Sequence, residues 1–159
     1  MSEPIKVKIK IVDKFARIPT KGTEGAACFD LYAAKETVLE SNGPRVKVPT
    51  GIAMEIPHGY CGRVYSRSSS FLRGLDIGSL VCDADYRGEI FVMAGYSEDH
   101  RETHNGSHAV VNGRPAYVVH AGDRIAQIRI EKLVDTEFEL ADELSETKRG
   151  TGGYGSTGR

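Results

Sequence analysis

The segment IKVKIKIV, residues 5–12, alternates apolar and cationic side chains over eight positions. A strand sorts such a pattern into one buried and one wet face, because side chains alternate across a strand with period two. The rhythm returns in EIFVMAGY, AYVVHAGDRIAQIRIEKLV and TEFELADEL. RVKVPTGIAMEIPHGYCGRVYS reads as short strands broken by Pro-Thr-Gly and Pro-His-Gly turns. Helical periodicity is weak; SRSSSFLRG is expected to form one short helical turn with a serine cap. No internal repeat is visible. Short strands punctuated by Gly and Pro predict an all-β sandwich or barrel.

The 159 residues suffice for one domain with a real core. A formal net charge of −1 gives no global pull toward nucleic acid or anionic membrane. No apolar run is long enough to span a bilayer, and MSEPIKVKIK lacks the apolar region of a secretory signal. The three cysteines, Cys28, Cys61 and Cys82, are odd in number and widely spaced, so an intracellular, reducing compartment is expected.

Residues 97–115 form a polar excursion with two Asn-Gly pairs, expected to be a long hairpin with loop-like tips, either a tolerated surface insertion or a contact surface for a protein partner. His100, His104 and His108 recur every fourth residue, which on a helix would suit a metal. The intervening Asn-Gly argues against a helix and for a solvated loop.

Four stretches carry polar groups where a β-protein should simply alternate. AACFDLYAA places Asp30 in an apolar run, where a carboxylate must be paired or bound to backbone amides. YSRSSSF offers Arg67, Ser68, Ser69 and Ser70, cation and hydroxyls suited to phosphate oxygens or to a capped loop. VCDADYRGE puts Asp83 and Asp85 two apart. On a strand they would share a face, and one could act as a general base; one could equally form a turn before Tyr86. AGDRIAQIRI is a Gly-Asp turn leading into a strand, with Asp123 tightening the turn, Arg124 seeking a partner and Gln127 placed to hold a water. The end of the chain, KRGTGGYGSTGR, combines a glycine-rich run suited to curl around an anion with Arg149 as a clamp and Tyr154 as a stacking ring.

AACFDLYAA, SRSSS, GSLVCDADYRGE, GDRIAQI and RGTGGYGSTG together resemble, in order, the five motifs of the trimeric deoxyuridine triphosphatase family. The resemblance implies a β-jelly-roll subunit spanning residues 1–147, a C-terminal lid arm from 148 to 159, and a homotrimer with sites shared between subunits. It implies dUTP as substrate and Mg2+ as cofactor, with dUMP and pyrophosphate as products. Asp83 would activate the attacking water. Arg67, Ser68 and Ser69 would meet the phosphates, and Gln127 the nucleophile's surroundings. Tyr86 would lie against deoxyribose. Backbone between Leu80, Val81 and Phe91 would read uracil. Arg149 would take the γ-phosphate, and Tyr154, Gly155 and Ser156 would close over the base. Asp30 would touch the metal through water, the ion otherwise riding on the triphosphate.

Four residues depart from the family pattern. Cys28 and Ser69 replace usual glycines, Ser66 replaces the proline of the second motif, and Tyr154 stands for phenylalanine. Two other functions are consistent with the frame. A dCTP deaminase would need a group poised at the cytosine amine, and the third motif offers none. A nucleotide-gated interaction module would use the long loop as its contact surface.

Overall fold

The computed structural model describes residues 4–98 and 108–152. Its described elements run β1 (Lys8–Ile11), β2 (Phe29–Tyr32), β3 (Thr37–Glu40), β4 (Val46–Glu55), β5 (Tyr60–Tyr65), α1 (Ser68–Leu72), β6 (Leu75–Ile77), β7 (Leu80–Cys82), β8 (Glu89–Tyr96), β9 (His108–Val111), β10 (Arg114–Val119) and β11 (Arg124–Lys132). The strands form antiparallel sheets in the orders β1-β4-β8-β6, β3-β10-β9 and β2-β11-β5-β7. This is the all-β architecture that the strand rhythm predicts, in the jelly-roll form that the family resemblance implies. Among the described residues no helix is long and apolar enough to cross a membrane.

The alternating side chains meet in one core. Leu31, Leu39, Val48, Ile52, Val64, Val92 and Ile125 are almost wholly buried there. Each such side chain contributes about 2 kcal/mol of transfer free energy. Because inward residues alternate with outward ones, burying Leu31 and Ala126 turns Asp30 and Gln127, paired in register between β2 and β11, to the outer face.

Pro49-Thr50-Gly51 does not break the strand as predicted. β4 runs through it, and the register against β8 shifts between Pro49 and Ala53. Gly51 takes φ +70, and a Cβ there would stand 2.7 Å from Ala16 Cβ, so the bulge depends on glycine. The Glu89 carboxylate accepts the Gly51 N–H at 2.8 Å, and the Thr50 hydroxyl donates to the Ile90 carbonyl, so the groups the bulge frees are satisfied. The Pro57-His58-Gly59 turn is present, closed by Tyr60 N–H on the Pro57 carbonyl.

Two other predicted strands differ. IKVKIKIV yields only four residues of β1. TEFELADEL forms no strand: after Lys132 the described chain enters no helix or strand, and Phe138 and Leu140 are 95% and 97% exposed. The alternation is real, but among the described residues no strand pairs with it. Residues 148–152, where the arm is expected to begin, continue this extension, and the rest of the arm lies outside the described residues.

The excursion at 97–115 ends in a true hairpin. Val111 pairs Arg114 across Asn112 and Gly113, whose φ values of 51 and 74 are those of a type I′ turn. His108 lies on strand β9, not on a helix. Its Nδ1 is 3.1 Å from the Tyr96 hydroxyl and its ring packs edge-on against Tyr117. His100 and His104 lie outside the described residues. All three cysteines are free thiols, and burial pushes Cys82 up to about 11.

Candidate active site

The predicted site residues gather in two places. The first is the outer face of β2 and β11 beside α1. Asp30 is 8% exposed. Its Oδ1 accepts Arg67 Nε at 2.8 Å, and its Oδ2 accepts Arg124 Nη1 at 3.4 Å. One carboxylate thus holds two guanidiniums, which supplies the pairing that its burial demands. Arg67 Nη1 also donates to the Arg124 carbonyl and to Ser69 Oγ, both at 3.1 Å. Ser69, where the family pattern has glycine, therefore adds an acceptor that fixes the Arg67 fork.

SRSSSFLRG makes its single turn, but not with a serine cap. Arg67 is the N-cap residue, its side chain makes no cap hydrogen bond, and its carbonyl receives the Ser70 and Phe71 N–H groups. Ser70 is no phosphate ligand either, since its buried hydroxyl donates to the Ile125 carbonyl at 3.1 Å and ties α1 to β11. Ser68 is exposed. Its N–H lies in the first turn, where no intrahelical acceptor exists. Gln127 donates to the Ser66 carbonyl at 2.8 Å, which fixes the loop leading into Arg67. Asp123 tightens its turn as expected, accepting the His120 N–H at 2.8 Å.

The second place is a slot of about 250 Å³ walled by Leu80, Val81, Cys82, Asp83, Tyr86 and Phe91. Asp83 and Asp85 do not share a strand face. They sit in a turn closed by Tyr86 N–H on the Asp83 carbonyl, and only Asp83 lines the slot. The segments flanking the turn do not pair with each other. β7 pairs with β5, and β8 with β4 and β6. Backbone N–H and C=O groups on their facing edges are thereby left to other partners. Tyr86 is half-exposed, its hydroxyl donating to the Glu89 carbonyl at 3.1 Å. A Cβ on Gly88 would fall on the Tyr86 ring and hydroxyl, so glycine makes the seat for that ring.

The sheet register separates the two places. Asp30 pairs Gln127, Gln127 pairs Tyr65, and Cys82 pairs Gly62. At about 3.3 Å per residue and 4.8 Å between strands, Asp83 is on the order of 20 Å from Asp30 of the same chain. Arg149 is at neither place: its Nε donates to the Gly152 carbonyl at 2.8 Å within a local turn. Tyr154, Gly155 and Ser156 lie outside the described residues. Lys47 in the slot and Arg17 and Arg73 near Arg67 carried no motif signal, and only folding reveals their position.

Antiparallel sheets in jelly-roll order, with an arginine–serine face and a slot of free backbone, define a β-fold protein suited to a phosphorylated ligand. The chain belongs to the dUTPase family, whose model matches residues 14–107 and 98–158. The deoxyuridine 5'-triphosphate nucleotidohydrolase of Desulfitobacterium hafniense (strain DSM 10664 / DCB-2) is 44% identical over 163 residues, covering 97% of each chain. That of Paramecium bursaria Chlorella virus 1 is 35% identical, covering 94% of this chain and 96% of its own.

Among solved structures, the Staphylococcus bacteriophage 80alpha dUTPase with dUPNHPP superposes with TM-score 0.79 at 26% identity, over 97% of this chain and 99% of that one. Phage dUTPases are described there as controlling transfer of virulence genes. A phage phi11 dUTPase mutant, which coordinates a structural Mg(II) ion, superposes with TM-score 0.72 over 87% and 97% of the chains. At 23% identity it shows the fold alone.

Proposed function

We propose that the protein hydrolyses dUTP to dUMP and pyrophosphate, in a homotrimer whose sites each draw on more than one copy. The observation that carries this reading is the pair of half-sites. The arginine–serine face suits phosphates and the slot suits a nucleoside, yet within one chain they stand on the order of 20 Å apart. Reacting atoms must come within about 3.5 Å. One nucleotide therefore bridges the face of one copy and the slot of another. The extension after Lys132 supports assembly as well. Its acidic–apolar alternation, with Glu137 and Glu139 flanking exposed Phe138, complements the cationic–apolar alternation of β1.

In this reading the slot takes uracil. Free backbone groups along Leu80–Cys82 and near Phe91 match its donor–acceptor pattern, which cytosine inverts. The tight walls leave no room for the methyl group of thymine. A site built on hydrogen bonds rejects a wrong pattern strongly, because its own groups would stay unpaired. Tyr86, seated on Gly88, lies against the sugar and excludes a 2′-hydroxyl. Asp83 accepts a proton from the water as its oxygen bonds to the α-phosphorus and the bond to the β-phosphate bridge breaks. Arg67, held by Asp30 and Ser69, and the Ser68 N–H receive phosphate oxygens. Gln127, through its carbonyl oxygen, orients water beside them. Arg149, Tyr154, Gly155 and Ser156 belong to the arm that closes the site and stacks on the base.

Magnesium fits as an ion carried by the substrate. Both Asp30 oxygens already face guanidiniums, and no group of three metal-ligating side chains occurs among the described residues. Asp30 would meet the ion only through its waters, consistent with magnesium's reluctance to dehydrate. When bound, the ion neutralises charge on the leaving phosphates. In a cell the reaction would keep uracil out of DNA and supply dUMP for thymidylate synthesis. The test is pyrophosphate release from dUTP, dCTP, dTTP and UTP, with magnesium and with chelator. Turnover of dUTP alone, suppressed by chelator, is expected; equal turnover of UTP or dCTP refutes the assignment of the slot.

We propose as a second reading a protein partner at residues 97–115; the structurally similar phage dUTPases are described as controlling transfer of virulence genes. The described part of that segment carries an exposed Val110 on β9. Deleting the excursion should then remove a partner while dUTP turnover persists.

A further inference from the structure

Beside Arg67 lies a cavity of about 430 Å³ where Tyr32, Arg67, Asp123 and Arg124 of the motifs meet Arg17 and Arg73, which no motif names. Four guanidiniums line it, those of Arg17, Arg67, Arg73 and Arg124. The carboxylates near them are Asp30, which already holds Arg67 and Arg124, and Asp123, which is turned to the His120 N–H. Among the described residues, neither Arg17 nor Arg73 has a carboxylate partner. Both are nevertheless held in place. The Arg17 guanidinium carbon is 5.5 Å from the centre of the Tyr32 ring, and the Tyr32 hydroxyl is 2.6 Å from Thr20 Oγ1. On its other side Arg17 lies flush on Gly122, where a Cβ would come within 3.2 Å of Nη2. Arg73 Nη1 is 3.5 Å from the hydroxyl of buried Tyr117.

Like charges gathered in one cavity and fixed by rings and glycine need a counter-charge, and planar forks suit the oxygens of phosphate groups. We propose that this cavity binds inorganic pyrophosphate, with Arg17 and Arg73 as its dedicated ligands and Arg67 as the shared wall with the phosphate face. As the seat of the leaving group it rests on the hydrolase reading above; as an anion site it stands on the cavity alone.

The test is calorimetric titration of inorganic pyrophosphate into the full-length protein, with parallel titrations of dUMP. Wild type should bind pyrophosphate. Arg17→Gln and Arg73→Gln should each weaken it by about tenfold, as expected for loss of one charge-assisted contact. Both variants should leave dUMP binding unchanged, and Arg→Lys at either position should restore part of the loss. Lys132→Gln, eight residues along β11 from Arg124 and roughly 26 Å away, should bind like wild type. Failure of wild type to bind, or equal binding by the Arg17→Gln/Arg73→Gln double variant, overturns the proposal. Failure of the hydrolase reading is separable. A protein that binds pyrophosphate through these arginines but releases none from dUTP keeps the anion site and loses the reaction.

Discussion

Arg67 Nε stands 2.8 Å from Asp30 Oδ1, and both side chains are largely shielded from water. Arg124 meets the other oxygen of the same carboxylate at 3.4 Å. Removing the carboxylate therefore strands two guanidiniums on one face. Asp30→Ala should destabilise the fold by about 3 kcal/mol, the scale for breaking a shielded ion pair. Asp30→Asn should cost less, because the amide oxygen still accepts one arginine. Urea unfolding of both variants checks the order; an Asp30→Ala as stable as wild type would mean that the pair carries no structural weight.

Asp83 presents the opposite case. It is exposed in a turn whose closing bond uses its backbone carbonyl rather than its carboxylate. Asp83→Asn should shift stability by less than about 0.5 kcal/mol. Turnover should fall by roughly a hundredfold or more, since an amide cannot accept the water's proton. Binding of a non-hydrolysable dUTP analogue should persist. Retained turnover would remove Asp83 from the role of base.

Gly88 tests sugar discrimination without replacing a polar side chain. A Cβ there falls on the ring and hydroxyl of Tyr86, and the half-exposed ring can swing outward by giving up its hydrogen bond to the Glu89 carbonyl. Gly88→Ala should therefore fold, lose the seat of the ring, and raise UTP turnover relative to dUTP by about tenfold, the worth of one modest contact. The ratio of kcat/KM values for the two substrates is the measurement. An unchanged ratio would show that Tyr86 does not read the sugar.

The strands were legible because period-two alternation is local: EIFVMAGY is β8 residue for residue. The bulge at Gly51 was not, because a Pro-Thr-Gly triplet signals a turn unless a distant carboxylate, here Glu89, satisfies the freed N–H. The family motifs named Asp30, Arg67 and Gln127, yet not that Asp30 serves two arginines or that Gln127 anchors Ser66. Arg17 and Arg73 were invisible for the same reason: their meaning lies in Tyr32, Gly122 and Tyr117, which only the fold brings beside them. Asp83 and Asp85 left two readings open, a shared strand face or a turn before Tyr86, and the fold takes the turn, closed by Tyr86 N–H on the Asp83 carbonyl.

Glu131 gives the fold an acid-sensitive element. Its carboxylate accepts the Tyr65 hydroxyl and the Arg129 guanidinium, which hold it below its ordinary value of 4.5, while the same contact pushes the Tyr65 phenol up. A folded value below the unfolded one stabilises the native state above pH 4.5, and that contribution fades as pH falls through 4.5 toward the folded value. Glu131→Gln should therefore show a shallower decline of Tm with acidification across that window than wild type. Parallel Tm–pH curves would discard the linkage.

The extension after Lys132 makes the sharpest test of assembly. Phe138, Leu140 and Leu144 are almost fully exposed in one chain. Covering each on another copy would contribute about 2 kcal/mol per side chain, repeated at every interface of a closed ring. The turn at Arg149, by contrast, is bonded among the described residues only within itself. Two truncations should thus behave differently. Ending the chain at Lys148 should leave a trimer by light scattering with poor dUTP turnover, because the closing arm is gone and the docking segment remains. Ending it at Lys132 should yield mainly monomer, and mixing that monomer with nucleotide should not restore activity, since each half-site lacks its complement. A fully active Lys148 truncation would remove the lid role, and a trimeric Lys132 truncation would place the assembly contacts on the sheets instead.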